Sequence, residues 1–306
     1  LRILRALGRQ PDPIGGTAVF DMLLKSSTLS FPGLGIGEFT INSVAFTVFG
    51  HEIAWYGVII TFGIILSAIY GLSRAKLEGI SSDDMLDVIL AAVIFSVIGA
   101  RIYYVLFYGN YKTFYDVIAI WNGGLAIYGA VIAGAITLCV MAKIKKKSPL
   151  ALLDIGAASI PLGQAIGRWG NFMNAEAYGY ETTLPWRMGI AEAGGTIYVH
   201  PTFFYESLWN FVGFFLIWYL YKKKKFNGQI FLTYIAWYGF GRMFIEGLRT
   251  DSLWLIPGVI RVSQLLGAVS FAIAVALLIF FCIKFRKRTP ILENHQTVSA
   301  DGAEKE

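Results

Sequence analysis

The chain has 306 residues, 56% of them hydrophobic and only 15% charged, with a net charge of +6 and a mean hydropathy of +0.59. Soluble domains carry about 25% charged residues, so this composition argues against a soluble globular protein and for a polytopic membrane protein. The positive charge falls in short clusters between apolar runs, which is the form of the positive-inside rule and not of a nucleic-acid-binding face. Both cysteines, Cys139 and Cys282, lie in apolar runs, and only three histidines are present, so neither a disulfide framework nor a zinc site is indicated.

Residues 1–38 differ from the remainder of the chain. Leu1 to Arg9 is a short basic stretch, and Gly15-Gly16 and Pro32-Gly33-Leu34-Gly35 interrupt the rest. The apolar run is too short for a signal peptide or a span. The segment is expected to be a poorly ordered extension and, opening on Leu rather than Met, to lie upstream of the true start. Seven apolar segments come next, near 54–73, 86–107, 125–142, 150–169, 203–221, 229–248 and 259–282. Each is close to the roughly 20 residues needed to cross about 30 Å of hydrocarbon. The expected fold is an all-α polytopic membrane protein, with a seven-span domain over 39–288 and a disordered tail over 289–306.

The clusters Arg74–Lys76, Lys143–Lys147, Lys222–Lys225 and Lys284–Arg288 all fall on one side of a seven-span arrangement. That side is the cytoplasm, which places the N-terminus outside and the C-terminus inside. The longest outer segment, about 171–201, contains Pro185-Trp186-Arg187 and Gly194-Gly195 and is expected to form a small external head. Short strands are expected there at Arg187–Ile190 and Thr196–Val199.

In this topology the unusual polar groups share one level, the outer leaflet. Trp55 and Tyr56 open the first span, Arg101 lies late in the second and Tyr128 early in the third. Arg168 and Asn171 end the fourth, and Glu206 begins the fifth. Tyr238, Arg242, Glu246 and Arg249, spaced i, i+4, i+8, i+11, share one face of the sixth. Charge facing lipid is costly, about 2.5–3.5 kcal/mol for Arg at a helix centre on insertion scales, so these groups face other helices or a wet cavity. Two roles are open to them. Glu176, Glu206 or Glu246 could simply neutralise Arg101, Arg168, Arg242 and Arg249, with Glu246 orienting Arg242. Alternatively Arg168 and Arg242 grip a ligand, and paired guanidiniums suit a phosphate because each can hold two oxygens at once. At this depth a phosphate belongs to a phospholipid headgroup. Glycines 167, 170 and 179 would let backbone approach it. Tyr56, Tyr128 and His200 are ambiguous alone: the first fits an ordinary aromatic belt and the last a simple loop anchor.

The stretch Gly167 to Gly179, GRWGNFMNAEAYG, puts an arginine, two amides (Asn171, Asn174), Glu176 and three glycines after an apolar helix. It resembles the signature of the prolipoprotein diacylglyceryl transferases, and the likeness extends over roughly residues 42–285. It includes FTVFGHEIAWYG from Phe46, GARIYYV from Gly99, GGLAIYGA from Gly123, HPTFFYES from His200 and YGFGRMFIEGLRTD from Tyr238. The resemblance implies seven spans with an external head in the bacterial cytoplasmic membrane. It also implies transfer of a diacylglyceryl group from phosphatidylglycerol to the lipobox cysteine of a secreted precursor, with release of glycerol 1-phosphate. By motif position, Arg168 and Arg242 match essential arginines. Asn171, Gly179 and Tyr56 match required positions, and Glu176, Glu206, Tyr238, Glu246 and Arg249 match supporting ones. Tyr128 stands where the family often has a histidine proposed as a base. Either Tyr128 substitutes or the position carries no obligatory base, and a tyrosine with pKa near 10 is a poor base at neutral pH.

The attacking sulfur would come from the substrate, which suits the absence of cysteine from these motifs, and no metal or organic cofactor is called for. A lipid transporter would also hold phosphate with arginines but should need polar groups at the midplane and inner side. A non-catalytic anchor or receptor would not need the buried arginines.

Overall fold

The computed structural model describes residues 26–108, 113–120, 123–256 and 258–292. The expectations for residues 1–25 and for the tail beyond 292 lie outside the described residues. The described chain falls into two compact units: one from residues up to 64, 162–212 and 238–271, the other from 65–161, 213–237 and 272 onward.

The chain is mostly helical. Its long helices are α1 (Trp55–Leu77), α2 (Ser82–Tyr108), α4 (Ile127–Ile144), α5 (Pro149–Met173), α6 (Thr202–Tyr221), α7 (Gln229–Leu248) and α8 (Val262–Lys284), with a short α3 (Phe114–Ile118) between α2 and α4. Five of them, α1, α2, α4, α5 and α8, are long and apolar enough to cross a membrane. The other two long helices, α6 and α7, have 20 residues each and are not among those five. Composition alone therefore supports five spans where seven were expected.

The chain is also not all-α. In the first unit, β1 (Ser26–Phe31), β2 (Ile36–Asn42), β5 (Met188–Glu192) and β6 (Gly195–Val199) form an antiparallel sheet in the order β2-β1-β5-β6. Two small hairpins accompany it, β3 (Val44–Val48) with β4 (His51–Ala54) and β7 (Trp254–Ile256) with β8 (Ile260–Arg261). Strands β5 and β6 match the two expected in the head. The sheet adds what the sequence did not suggest: residues 26–38, expected to lack order, supply β1 and the start of β2. The Pro32–Leu34 turn and Gly35, at φ 72°, join them. What reads as a break is a tight reversal, because Gly35 adopts a left-handed conformation at little steric cost. In register, Leu29 faces Phe39 on one side and Ile190 on the other. Leu29, Met188, Ile190, Val199 and Phe203 make a buried cluster against which Phe172 and Tyr178 pack. Buried apolar area of this kind stabilises by about 25 cal/mol per Å². It ties the sheet to the end of α5 and the start of α6, which carry the polar site.

In the second unit, α2 and α4 approach backbone to backbone. A Cβ added at Gly99 would lie 2.3 Å from Ala133 Cβ and 2.7 Å from the Gly129 carbonyl oxygen. Small residues at such crossings permit the close van der Waals packing that drives helix association in lipid. In the same unit Ala75, Ile80, Met85, Val88, Ala142, Leu152 and Ile155 form an apolar core. Lys224 is fully buried and pairs with Glu78 at 2.5 Å and Asp154 at 3.1 Å. Asp154 also accepts from the backbone N–H groups of Gly228 and Phe231, both at 2.9 Å, so a remote carboxylate caps the start of α7.

Two glycine substitutions should separate packing from propensity. Gly99→Leu is expected to lose at least about 1–3 kcal/mol to overpacking. Gly156→Ala, within α5 and with nothing within 4 Å of the added methyl, is expected to gain roughly 0.5–1 kcal/mol from backbone entropy. Thermal unfolding of the detergent-solubilised variants reads both.

Candidate functional site

Three helix ends of the first unit carry the charged residues. Arg168 and Asn171 occupy the last turns of α5, Glu206 lies in the first turn or so of α6, and Arg242 and Glu246 lie on α7 with Arg249 just past its end. Between α5 and β5 the chain turns through Ala175 and Ala177, both at positive φ (49° and 57°). Such conformations cost L-residues about 1–2 kcal/mol. Hydrogen bonds hold them here. Ala175 N–H donates to the Phe172 carbonyl and Glu176 N–H to the Asn171 carbonyl, at 2.9 and 3.1 Å. The Thr202 hydroxyl donates to the Ala177 carbonyl. Gly179 N–H donates to the His200 carbonyl at 2.9 Å, and Tyr180 N–H to the Leu248 carbonyl at 2.8 Å. The signature loop is thus stitched to the start of α6 and the end of α7 at once.

The centre of the site is one carboxylate. Glu206, 3% exposed, receives Arg168 Nη2 at 2.5 Å and Arg242 Nη1 at 3.2 Å on Oε2, and Arg249 Nη1 at 2.9 Å on Oε1. Arg242 Nη2 also pairs with Glu246 four residues on. Arg249 grips Asp251 with Nε at 2.9 Å and Nη2 at 2.7 Å, a two-pronged pair. Arg168 Nη1 donates to Asn171 Oδ1 at 3.2 Å; Asn171 Nδ2 donates to Glu176 Oε1 at 2.9 Å, and Asn174 Nδ2 to the same oxygen at 3.3 Å. Three guanidiniums therefore meet three carboxylates, Glu206, Glu246 and Asp251. A guanidinium has five N–H donors, so Arg168 and Arg242 keep donors beyond those their carboxylates use. Arg168 is the most open of the three arginines, its side chain 23% exposed against 14% for Arg242 and 12% for Arg249. Burial works against charge on Arg249, but Asp251 and Glu206 outweigh it and hold its guanidinium above the ordinary range. Burial likewise opposes ionisation of Asp251, yet its pairing with Arg249 leaves the carboxyl below its usual range.

The glycines do something other than expected. A Cβ at Gly170 would come within 2.8 Å of Tyr56 Cδ2, one at Gly167 within 2.9 Å of Ile60 Cδ1, and one at Gly179 within 2.7 Å of His200 Cβ and 2.8 Å of the Leu248 carbonyl. They make room for protein. Gly167 and Gly170 seat α1 against α5, and Gly179 seats the signature loop against His200 and Leu248. Tyr56 packs its ring over Gly170 and stays 38% exposed. Tyr238 is half-buried on α7 in the same unit as the arginines.

Arg101 and Tyr128 belong to the second unit. Arg101 donates to backbone carbonyls: Nε to Val117 at 2.8 Å, Nη2 to Asp116 at 2.6 Å, and Nη1 to Gly123 at 2.7 Å and Gly124 at 2.9 Å. It organises the connection between α2 and α4. Tyr128 sits in the first turn of α4 with its ring 6.3 Å from that of Tyr103.

Some residues of the site carried no clear sequence signal. Asp251 could have been found from its place two residues after Arg249. Trp186 and Tyr205 could not. Trp186 Nε1 donates to Tyr205 Oη at 2.7 Å, and His200 Nδ1 lies 3.2 Å from the same oxygen. These three, with Leu184, Phe204, Leu208 and Leu248, line a groove of about 410 Å³. Partial burial lowers the His200 imidazole from its ordinary value. A second apolar groove of about 380 Å³ runs between α1, α5 and α6, lined by Trp55, Phe62, Ile166, Trp169 and Phe211 among others.

A helical membrane protein with a built arginine–carboxylate centre at the ends of three helices is the class that these features define. Residues 43–280 match the family model described as prolipoprotein diacylglyceryl transferase. A phosphatidylglycerol–prolipoprotein diacylglyceryl transferase of Finegoldia magna is 49% identical over 251 residues, covering 81% of this chain and 97% of the relative. A protein of that name from Limosilactobacillus reuteri is 46% identical over 252 residues, covering 78% and 90%. One from Listeria welshimeri is 40% identical over 262 residues, covering 82% and 94%. The chain belongs to the prolipoprotein diacylglyceryl transferase family, and its members named here are transferases.

Removing the shared carboxylate should undo the centre. Glu206→Gln leaves three guanidiniums without their common partner, and an unpaired buried charge costs about 3–5 kcal/mol. The variant is expected to unfold at a clearly lower temperature than wild type in the same detergent. A Glu206→Gln protein of unchanged stability would contradict the ion-pair geometry.

Proposed function

We propose that this chain transfers the diacylglyceryl group of phosphatidylglycerol to the lipobox cysteine thiol of a prolipoprotein, releasing glycerol 1-phosphate. This is the first step of lipoprotein lipidation. The observation that supports it best is the meeting of Arg168 from α5 and Arg242 from α7 on the single carboxylate of Glu206.

In this mechanism the phosphate of the lipid headgroup takes the donors that Arg168 and Arg242 keep beyond their carboxylates. Glu206, Glu246 and Asn171 hold the two guanidiniums in fixed orientation, so little reorganisation accompanies reaction. Glu176 holds Asn171 in turn, and Arg249 is pinned by Asp251. Gly179 keeps the signature loop close to α6 and α7, Tyr56 packs over Gly170 of the signature, and Tyr238 lies one turn before Arg242 on α7. The substrate thiolate attacks the glycerol C3 carbon. The S–C bond forms as the C–O bond to phosphate breaks, and the electron pair departs on the phosphate oxygen. Charge grows on that oxygen, and the arginines stabilise it in a place of low dielectric. The groove along Trp55, Phe62, Ile166 and Phe211 suits an acyl chain, being apolar and adjacent to the end of α5. No step calls for a metal or an organic cofactor.

The chemistry implies an orientation. We assign seven crossing helices, adding α6 and α7 to the five apolar ones, because the apolar faces of both are exposed: Phe211, Phe215 and Trp218 on α6 and Phe244 on α7. The N-terminus is outside and the C-terminus cytoplasmic, following the lysine clusters. The sheet with residues 171–201 forms the external head, in the bacterial cytoplasmic membrane.

Purified protein incubated with phosphatidylglycerol and a lipobox peptide should give the thioether product by mass. Arg168→Ala is expected to insert and fold but to lose about 100- to 1000-fold in rate. Normal transfer by that variant would overturn the role given to Arg168, and lipid movement without thioether would overturn the reaction.

A further inference from the structure

Thioether formation needs the acceptor thiol to lose its proton. A cysteine of pKa about 8.5 is only a few per cent thiolate at pH 7, so a positioned base accelerates the step. Tyr128 is a poor candidate on chemical grounds. The first unit contains a better one.

We propose that His200 is the base that takes the proton of the acceptor thiol, within the groove lined by Trp186, Phe204, Tyr205, Leu208 and Leu248. This rests on the transferase reaction proposed above. Tyr205 Oη is held by Trp186 Nε1–H at 2.7 Å and lies 3.2 Å from His200 Nδ1. Trp can only donate, so it occupies one lone pair of Tyr205 Oη; in the tautomer that this role requires, the second lone pair accepts from His200 Nδ1–H. That tautomer leaves Nε2 as a bare lone pair, with no partner among the described residues. The arrangement is that of an oriented base: one ring nitrogen pinned, the other free.

The surroundings fit the task. Apart from the His–Tyr–Trp set the groove is apolar, and at about 410 Å³ it falls in the size range of ligand sites. It takes the apolar side chains of a peptide segment and brings the thiol beside the imidazole. It is built into the arginine centre. Tyr205 and Glu206 are successive residues on adjoining faces of α6, Leu248 precedes Arg249, and the His200 carbonyl accepts from Gly179, which is bridged to Arg249. Ionisable groups on the segments packed around His200 are Tyr205, in contact; Tyr180 and Glu181, next to residues 198–200; and Arg249, across Gly179. Partial burial lowers the imidazole from its ordinary value, which favours the neutral form that a base needs.

The proton balance closes without a further reactant. The S–H proton passes to His200 Nε2 as sulfur bonds to glycerol C3, the C–O pair leaves on phosphate, and the imidazolium then returns its proton to solvent.

The test compares a cysteine with a selenocysteine lipobox peptide on full-length protein with phosphatidylglycerol. A selenol is already ionised at neutral pH and needs no base. With the cysteine peptide, wild-type kcat/KM should fall below an apparent pKa at or under about 6.5, the ordinary histidine value; with selenocysteine the only acid limb left should be that of the selenol itself, the same in wild type and His200→Gln. His200→Gln should lose about 10²- to 10⁴-fold with cysteine, keep phosphatidylglycerol binding, and recover with selenocysteine. An acid limb with selenocysteine that differs between wild type and His200→Gln would overturn the proposal, and so would a His200→Gln variant with wild-type rate on the cysteine peptide. Loss of transfer in Arg168→Ala beside normal His200→Gln would reject the base alone and leave the reaction standing. Absence of product from wild type with either peptide would reject the reaction itself.

Discussion

Glu206 is the residue around which the site is built. Its carboxylate is almost wholly buried, yet it does not stand alone: it joins arginines from the end of α5, the last two turns of α7 and the loop after α7. A lone buried carboxylate would shift its equilibrium toward the neutral acid, and lone guanidiniums at this depth would carry a heavy desolvation penalty. Each is tolerable only because the others are present. The same mutual dependence fixes three backbone segments relative to one another. The three arginines keep fixed places, and in the proposed mechanism the remaining donors of Arg168 and Arg242 receive the phosphate.

The rest of the first unit maintains that convergence. The signature loop runs through two alanines in the left-handed region, a conformation held by hydrogen bonds to Thr202, His200 and Leu248. The four-stranded sheet buries Leu29, Met188 and Val199 against Phe203 at the base of α6. Gly167, Gly170 and Gly179 are sites of protein–protein approach within the chain, as their neighbours Ile60, Tyr56 and His200 make plain. In the second unit the polar groups serve structure: Arg101 gathers carbonyls of the α2–α4 connection, and the Lys224–Glu78–Asp154 cluster caps α7.

Much of this was legible in the sequence, for identifiable reasons. Long apolar runs announce helices because backbone groups in hydrocarbon must be satisfied internally. Arg242 and Glu246 four residues apart announce a helical pair. GRWGNFMNAEAYG, with the other motifs in order, announced the family. What stayed hidden depends on contacts distant in sequence. The pairing of β1 with β5 joins residues some 160 apart, and periodicity cannot reveal it. The Pro-Gly reversal at 32–35 looked like disorder because a turn and a linker share composition. The sequence raised Glu206 as one of three carboxylates that could neutralise the arginines but did not single it out as the shared one, and nothing in the motifs indicated that Arg101 would serve carbonyls or that Trp186 would meet Tyr205 and His200. The apolarity of α6 and α7 is diluted by polar residues that include Glu206, Asn210, Arg242 and Glu246.

Two guanidiniums from separate helices holding one phosphate are the core of the proposed mechanism. Solid-state NMR of the protein in bilayers containing phosphatidylglycerol measures this directly, through dipolar dephasing of the bound lipid's ³¹P by ¹⁵N-labelled arginine side chains. Dephasing at hydrogen-bonding range that weakens in Arg168→Lys and again in Arg242→Lys is the result expected. A bound phosphate whose signal is unaffected by either substitution would contradict it.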